Sequence, residues 1–197
     1  MLDEKLGKKV CDVQTQWTGT GPGWMGNKGA VGVRFRLKGK QDHEAGEVFT
    51  YVYHSISNSV ILKAILFSFV CAHLTAHSHK LNRRVQDFHH IVSTLLFPPT
   101  TYSPSYTTMY STSHLFFLGD LNFRIELPST HPLADPQAVL ALHDALDEHA
   151  EREDLKEHDQ LLIERKKGTV FAGLREGEFW KFKCTYKYRI KEIDKYR

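Results

Sequence analysis

The sequence predicts an α/β fold, because strand-like, helix-like and strand-like segments follow one another along the chain. The first is the apolar run I-L-F-S-F-V-C-A-H-L at residues 65–74, whose length and β-branched or aromatic content favour a buried strand. The second covers residues 79–97, where apolar side chains recur at helical spacing until Pro98 and Pro99 stop the helix. The third is the short apolar run H-L-F-F-L at residues 114–118.

The remaining segments agree with this class when taken in chain order. A glycine-rich loop, T-G-T-G-P-G-W-M-G-N-K-G, comes first, and we predict no strand before it. Residues 29–37 alternate apolar with small or basic residues, as a half-buried strand does, and a polar stretch at residues 38–46 leads through residues 48–53 into the apolar run. Residues 100–113 predict a loop, residues 135–167 two helices, and the run F-W-K-F-K-C-T-Y-K-Y at residues 179–188 a strand. We therefore expect one compact domain over residues 1–197.

Charge and cysteine content exclude several classes of protein. The chain has 197 residues, a formal net charge of +3 and 3 cysteines. A charge this small argues against a nucleic-acid partner. The cysteines are odd in number and far apart, which argues against a disulfide framework or a zinc site. A charged N-terminus without the apolar segment of a signal peptide, and no apolar stretch long enough to cross a bilayer, lead us to expect a cytoplasmic protein.

Asp120 and Asn122 lie in the segment G-D-L-N-F-R, directly after the third predicted element. On an extended backbone, residues two apart share one side, so both side chains can face one cleft. A carboxylate there can orient and deprotonate a water, while an amide can donate to a phosphate oxygen without repelling it. The same D-x-N pattern also occurs in turns, where both side chains bond their own backbone, and these residues alone leave the two interpretations open.

His73 and Lys28 lie in two further motifs next to predicted strands. His73, in A-H-L-T-A-H, follows a buried strand, where an imidazole can stabilise the charge of a transferring phosphoryl group or simply bond backbone groups. A zinc pair with His77 is disfavoured, because that spacing needs a helix. Lys28, in G-N-K-G, supplies a point charge where glycines let the backbone approach an anion.

Aromatic residues accompany two other segments. Near the C-terminus, the run K-F-K-C-T-Y-K-Y-R interleaves basic with aromatic residues, and it is either part of an anion-binding pocket or a solvated basic strand. Trp24 and Met25 lie in the glycine-rich loop, where an exposed tip would let them enter a bilayer interface. Trp24 can equally fold back into the core.

Taken together and in order, five motifs resemble the inositol polyphosphate 5-phosphatases over residues 17–197: G-N-K-G, F-V-C-A-H-L-T-A-H, R-R-V-Q-D-F, F-L-G-D-L-N-F-R-I and T-Y-K-Y. The resemblance implies the four-layer α/β/β/α sandwich of the endonuclease/exonuclease/phosphatase type, present here incompletely. It implies Mg2+-dependent removal of the 5-phosphate from phosphoinositides or inositol polyphosphates, with peripheral contact to membranes. The alternatives are a non-catalytic phosphoinositide-binding fragment and, less favoured, a nuclease of the same superfamily.

The resemblance also assigns roles to individual residues. Asp120 would activate the attacking water, Asn122 would contact the scissile phosphate, and His73 would stabilise the transition-state charge. Trp24 and Met25 match the membrane-contacting loop of the family. The residues that match substrate-binding positions are Asn27, Lys28, Arg124, Tyr186 and Lys187.

The sequence departs from the family in several places. The magnesium-binding Glu of the family lies upstream of the G-N-K-G loop. The W-x-D-R and Asp-His motifs of the family lie downstream of the five matched motifs. We find no counterpart to any of these features. We therefore assign no metal ligand and expect little or no turnover from this chain. Residues 38–63 exceed the connection expected between two strands, and Cys184, Val85 and Arg189 replace the usual Pro, Asn and acidic residue.

Overall fold

The computed structural model describes residues 9–21, 27–38, 64–131, 134 and 155–177, and within them four strands form one mixed sheet. The strands lie side by side in the order β1 (Val10–Gly19), β2 (Gly29–Lys38), β3 (Ala64–His73) and β4 (His114–Asp120). β2 is antiparallel to both β1 and β3, whereas β4 runs parallel to β3. Helices in this part of the chain include α1 (Leu81–Thr94), preceded by a 3₁₀ turn at Ser78–Lys80, and α2 (Gln160–Lys166).

The predicted strand, helix, strand order is confirmed by β3, α1 and β4, and the strand predicted at residues 29–37 is β2. The helical region predicted at residues 135–167 includes α2. Residues 135–154 of that region lie outside the described residues, as does the strand predicted at residues 179–188.

The prediction that no strand precedes the glycine-rich loop is wrong, because β1 occupies Val10–Gly19. This strand turns an apolar side chain outward and polar ones inward. Trp17 is 72% exposed. Gln14 donates through Nε2 to the carbonyl of Pro98 at 2.9 Å, and the Thr18 hydroxyl is 2.8 Å from that of Thr94. Buried polar groups are tolerated when they are hydrogen-bonded in this way.

Contacts divide the chain into two compact units. The first comprises Met1–Leu74 and His89–Leu121, and the second comprises Thr75–Phe88 and Asn122–Arg197. The whole sheet therefore belongs to the first unit, and α2 belongs to the second. None of the described helices is long and apolar enough to span a membrane.

One face of the sheet forms the core of the first unit. Val70 and Ala72 of β3 are buried, and a Cβ on Gly32 of β2 would lie 2.9 Å from the ring of Phe97. The opposite face is apolar but exposed, and it carries Trp17, Val31, Val33, Phe69, Phe116 and Leu118. Because side chains alternate along a strand, the burial predicted for residues 65–74 applies to one face of β3.

Arg34 is a buried cation on the covered face of β2, with 3% exposure. Its guanidinium donates to Ser68 Oγ at 2.9 Å, to Thr107 Oγ1 at 2.6 Å and to the carbonyl of Thr108 at 2.6 Å. Burial, with a smaller contribution from Arg36, lowers the pKa of Arg34 to about 10, so the side chain stays charged at neutral pH. Through these hydrogen bonds, Arg34 links the segment before β4 to the sheet.

Replacing Arg34 by Met is expected to lower the free energy of unfolding by about 3 kcal/mol, because the buried hydroxyls and carbonyl lose a charged donor. Urea unfolding followed by circular dichroism measures the change. Lys38→Met, at an exposed position of the same strand, is the control and should stay within about 0.5 kcal/mol of the parent. Equal effects of the two substitutions would show that Arg34 has no special structural role.

The second unit is organised by the cap of α2 and by a cluster of aromatic rings. Asp159 caps the helix, and its Oδ1 accepts the backbone N–H groups of Leu161 at 2.7 Å and Leu162 at 3.4 Å. Burial raises the pKa of the Asp159 carboxyl, and the two backbone bonds oppose that rise. Phe171 packs against Phe88 with ring centroids 4.4 Å apart.

Candidate active site

The register of the sheet brings three predicted motifs to one end of it. Gly29 of β2 is paired with His73 of β3, and His73 is paired with Asp120 of β4. Lys28 directly precedes Gly29 in the chain. The G-N-K-G, A-H-L-T-A-H and G-D-L-N-F-R motifs, far apart in sequence, therefore meet where three adjacent strands begin or end.

Two glycines permit this close meeting of the strands. Gly29 has φ 153, and a Cβ at this position would lie 2.1 Å from the carbonyl oxygen of Thr18. Gly119 has φ 123, and a Cβ there would lie 2.1 Å from the carbonyl oxygen of Ala72. Only glycine adopts such backbone angles at so short a distance without strain.

Lys28, His73 and Asp120 form a side-chain cluster at this end of the sheet. Lys28 Nζ lies 2.5 Å from His73 Nε2. This His73 nitrogen lies 3.6 Å from Asp120 Oδ2. An ammonium group only donates hydrogen bonds, so His73 Nε2 accepts in this arrangement. The side chains of His73 and Asp120 are 48% and 66% exposed, which leaves the cluster open to water and solutes.

This arrangement brings together side chains of the kinds that can act in phosphoryl transfer. The ammonium of Lys28 and the imidazole of His73 can attract and hold the oxygens of a phosphate. A carboxylate beside them can accept the proton of an attacking water. The assignments of Lys28, His73 and Asp120 to these roles remain predictions, and the geometry places the three side chains within reach of one anion.

Asn122 and Arg124 follow β4 and belong to the second unit. Arg124 Nη2 donates to Asn122 Oδ1 at 2.7 Å. The expectation that Asp120 and Asn122 share one extended strand is wrong, because β4 ends at Asp120 and Asn122 has φ 57. Asn tolerates this left-handed conformation better than most residues, which accounts for its place directly after the strand.

The other predicted site residues divide between described and undescribed parts of the chain. Asn27 is exposed next to Lys28, where the glycine-rich loop joins β2. The backbone N–H of Thr20 donates to the carbonyl of Lys28 at 3.0 Å, which fixes the end of that loop. Four predicted residues lie outside the described residues: Trp24, Met25, Tyr186 and Lys187.

Comparison with known proteins assigns the chain to a family. Residues 1–197 match Endonuclease/Exonuclease/phosphatase family 2. The chain belongs to this family. The phosphatidylinositol 3,4,5-trisphosphate 5-phosphatase 1 of Rattus norvegicus is 34% identical to it over 172 residues, which make up 87% of this chain and 12% of that protein. The type II inositol 1,4,5-trisphosphate 5-phosphatase of Mus musculus is 33% identical over 183 residues, 91% of this chain and 14% of that protein.

A solved structure of this endonuclease/exonuclease/phosphatase type shows the same fold. It is the inositol polyphosphate 5-phosphatase domain of SPsynaptojanin in complex with inositol (1,4)-bisphosphate and calcium ion, with a TM-score of 0.68 and 23% identity. The match covers 98% of this chain and 44% of that one. The resemblance to a 5-phosphatase catalytic domain and the predicted fold class are thereby confirmed, and this chain spans less than half the length of the synaptojanin chain.

The described side chains supply few of the oxygen ligands that a magnesium ion needs. Mg2+ prefers about six oxygen ligands in octahedral geometry. Within the described residues, no three His, Cys, Asp or Glu side chains are grouped so that they could hold a metal ion. Asp120 supplies one carboxylate, and the neighbouring His73 nitrogen is in contact with the ammonium of Lys28. The described residues therefore do not make up a magnesium site.

A set of buried polar residues in the second unit was not predicted from the sequence. Asp87 of α1 accepts both the backbone N–H and the hydroxyl of Thr75 through Oδ2, at 2.9 Å and 2.6 Å. Arg84 and Gln160 are also buried, with 0% and 2% exposure. The motif R-R-V-Q-D-F contains Arg84 and Asp87, and its two charges on the buried side of a predicted helix were the available signal.

Proposed function

We propose that this chain carries out Mg2+-dependent hydrolysis of the 5-phosphate of phosphoinositides or inositol polyphosphates, with impaired turnover because no residue of it is assigned as a magnesium ligand. The observation that carries the proposal is the strand register that joins Lys28, His73 and Asp120 in one exposed cluster. The names of the relatives, which are 5-phosphatases of phosphatidylinositol and inositol phosphates, support the substrate class.

Each residue of the proposed site has a distinct task. Asp120 orients a water and takes its proton as the water attacks the phosphorus atom. His73 offsets the negative charge that develops on the transferring phosphoryl oxygens. Asn122 donates its amide N–H to a phosphate oxygen. The other phosphates of the ring are held by the substrate-binding residues Asn27, Lys28, Arg124, Tyr186 and Lys187.

Magnesium is included because a divalent cation offsets charge on a phosphoryl group as a Lewis acid. The related synaptojanin domain was solved with calcium ion, which supports a divalent cation in the reaction. No residue of this chain is assigned as its ligand. We also propose that the chain is cytoplasmic and meets membranes peripherally through the loop that carries Trp24 and Met25, since Trp and Met side chains suit a bilayer interface.

The test is a comparison of two soluble inositol phosphates that differ by one group. Inorganic phosphate should be released from inositol 1,4,5-trisphosphate and not from inositol 1,4-bisphosphate, which lacks the 5-phosphate. Chelation with EDTA should abolish release, and added Mg2+ should restore it. Because the resemblance leads us to expect weak turnover, binding of the trisphosphate is measured by calorimetry in the same samples.

The outcomes separate the proposed function from its alternatives. Binding without any phosphate release would favour a non-catalytic phosphoinositide-binding fragment. Cleavage of DNA under the same conditions would favour a nuclease of the same superfamily. Equal release from both inositol phosphates would contradict specificity for the 5-phosphate.

A further inference from the structure

Arg84 and Gln160 form a buried polar pair in the second unit that the proposed function leaves without a role. Their exposures are 0% and 2%, and Arg84 Nη2 donates to Gln160 Oε1 at 2.5 Å. The two residues are 76 positions apart in the sequence. Burial of a charged group is costly unless its hydrogen bonds are used, so the partners of this pair indicate what it holds in place.

Arg84 holds the segment that leads into α1. Its Nη1 donates to the carbonyls of Thr75 at 3.2 Å and His77 at 2.6 Å, and its Nη2 donates to the carbonyl of Ser78 at 3.1 Å. His77 has φ 74, a conformation that costs energy for most residues. The planar guanidinium thus joins three backbone carbonyls of this segment, and the nitrogen that binds Ser78 also binds Gln160.

Gln160 holds the backbone of Arg124 from both sides. Its own backbone N–H donates to the carbonyl of Arg124 at 3.0 Å, and its Oε1 accepts the backbone N–H of Arg124 at 3.1 Å. Its Nε2 donates to Glu126 Oε2 at 2.8 Å and to the carbonyl of Ser78 at 3.3 Å. With both of its backbone groups bound, Arg124 cannot shift or rotate without breaking these bonds.

Arg124 in turn fixes the amide of Asn122. A guanidinium only donates, so the Asn122 atom that faces Arg124 Nη2 at 2.7 Å is the oxygen. The edge of the amide that carries the N–H donors is therefore turned away from Arg124. This is the edge that the proposed function assigns to the scissile phosphate.

We propose that Gln160, held by Arg84, is a positioning residue that sets the orientation of Asn122 through Arg124. The inference rests on the proposed function for its catalytic consequence, but the contact itself can be measured separately. Loss of the Gln160 amide should leave substrate affinity nearly unchanged and lower kcat by about 10- to 100-fold, the effect of misplacing a catalytic group by a fraction of an ångström to 1 Å.

The experiment compares Gln160→Met, which removes the amide at similar volume, with Gln160→Glu, which keeps an acceptor for Arg84 and Arg124. Gln86→Met, at an exposed position of α1, is the matched control. Hydrogen exchange at the Arg124 amide should be at least about 10-fold faster in Gln160→Met, intermediate in Gln160→Glu and unchanged in the control. Exchange at Val70 and Ala72 of β3 shows whether each variant is folded.

Kinetics of phosphate release from inositol 1,4,5-trisphosphate supply the second readout. We expect the loss in kcat with KM within about 3-fold, and partial recovery of kcat in Gln160→Glu. Unchanged Arg124 exchange in Gln160→Met, or faster exchange with an unchanged kcat, overturns the inference.

If the parent chain binds the trisphosphate but releases no phosphate, the proposed hydrolysis fails, and the exchange data alone then decide whether Gln160 positions Arg124. If Gln160→Met does not fold, the same two readouts on Gln160→Glu decide.

Discussion

Replacing Asp120 by Asn is expected to reduce phosphate release by about 10²- to 10⁴-fold, the usual contribution of a general base. The substitution keeps the size and shape of the side chain and its position at the end of β4, where it is paired with His73. An amide cannot accept the proton of the attacking water at neutral pH, so the chemical step should slow while binding of the inositol phosphate persists. Initial rates with inositol 1,4,5-trisphosphate, together with calorimetric affinity, measure both quantities.

Asp12→Asn is the matched control for this substitution. Asp12 is in the same unit, in β1, and its carboxylate lies 3.2 Å from Arg36 Nε. Its φ is 51, a conformation that Asn also tolerates, so the control should fold and retain its rate. If Asp120→Asn kept a rate within about 3-fold of the parent, Asp120 would not be the base.

The strands of the sheet were predictable to different degrees, because a strand can be recognised in a sequence only when the pattern of apolar and polar residues matches the pattern of burial. β2, β3 and β4 carry their apolar residues in runs or in strict alternation, and the sequence predicts all three. β1 does not, since Gln14 is turned inward with its amide bound to a carbonyl while Trp17 is exposed. A register shift between Cys11 and Gln14 further breaks the alternation. Inverted polarity and a bulge together conceal the strand.

The cluster of Lys28, His73 and Asp120 was predictable because each residue lies at the end of a strand that the sequence shows. The ends of strands that pair in register lie close together, and each motif carries a polar residue at the end of its strand. The pairing of Arg84 with Gln160 was not predictable by the same means. A polar residue on a helix looks like a solvated one in sequence, and only the fold brings these two together. Likewise, the left-handed backbone conformation of Asn122 was not predictable, because the D-x-N pattern is compatible with both an extended strand and a turn.

Gly119→Ala is expected to lower the free energy of unfolding by about 3 kcal/mol or more, through a strained backbone and a direct clash. The new Cβ would lie 2.1 Å from the carbonyl oxygen and 2.8 Å from the backbone nitrogen of Ala72, so β3 and β4 must separate. In a domain of this size the loss corresponds to a fall in Tm of about 10 °C. Thermal unfolding followed by circular dichroism checks this value.

Gly168→Ala separates the clash from the backbone strain. Gly168 also has a positive φ, of 74, but a Cβ there meets nothing within 4 Å. Its replacement should therefore cost only the strain, about 1–2 kcal/mol. A larger loss at Gly119 would show that the close approach of β4 to β3 is itself required, and the same pair of strands holds Asp120 beside His73. Equal losses would mean that the sheet accommodates a methyl group there, and the tight strand contact would no longer explain how the cluster is assembled.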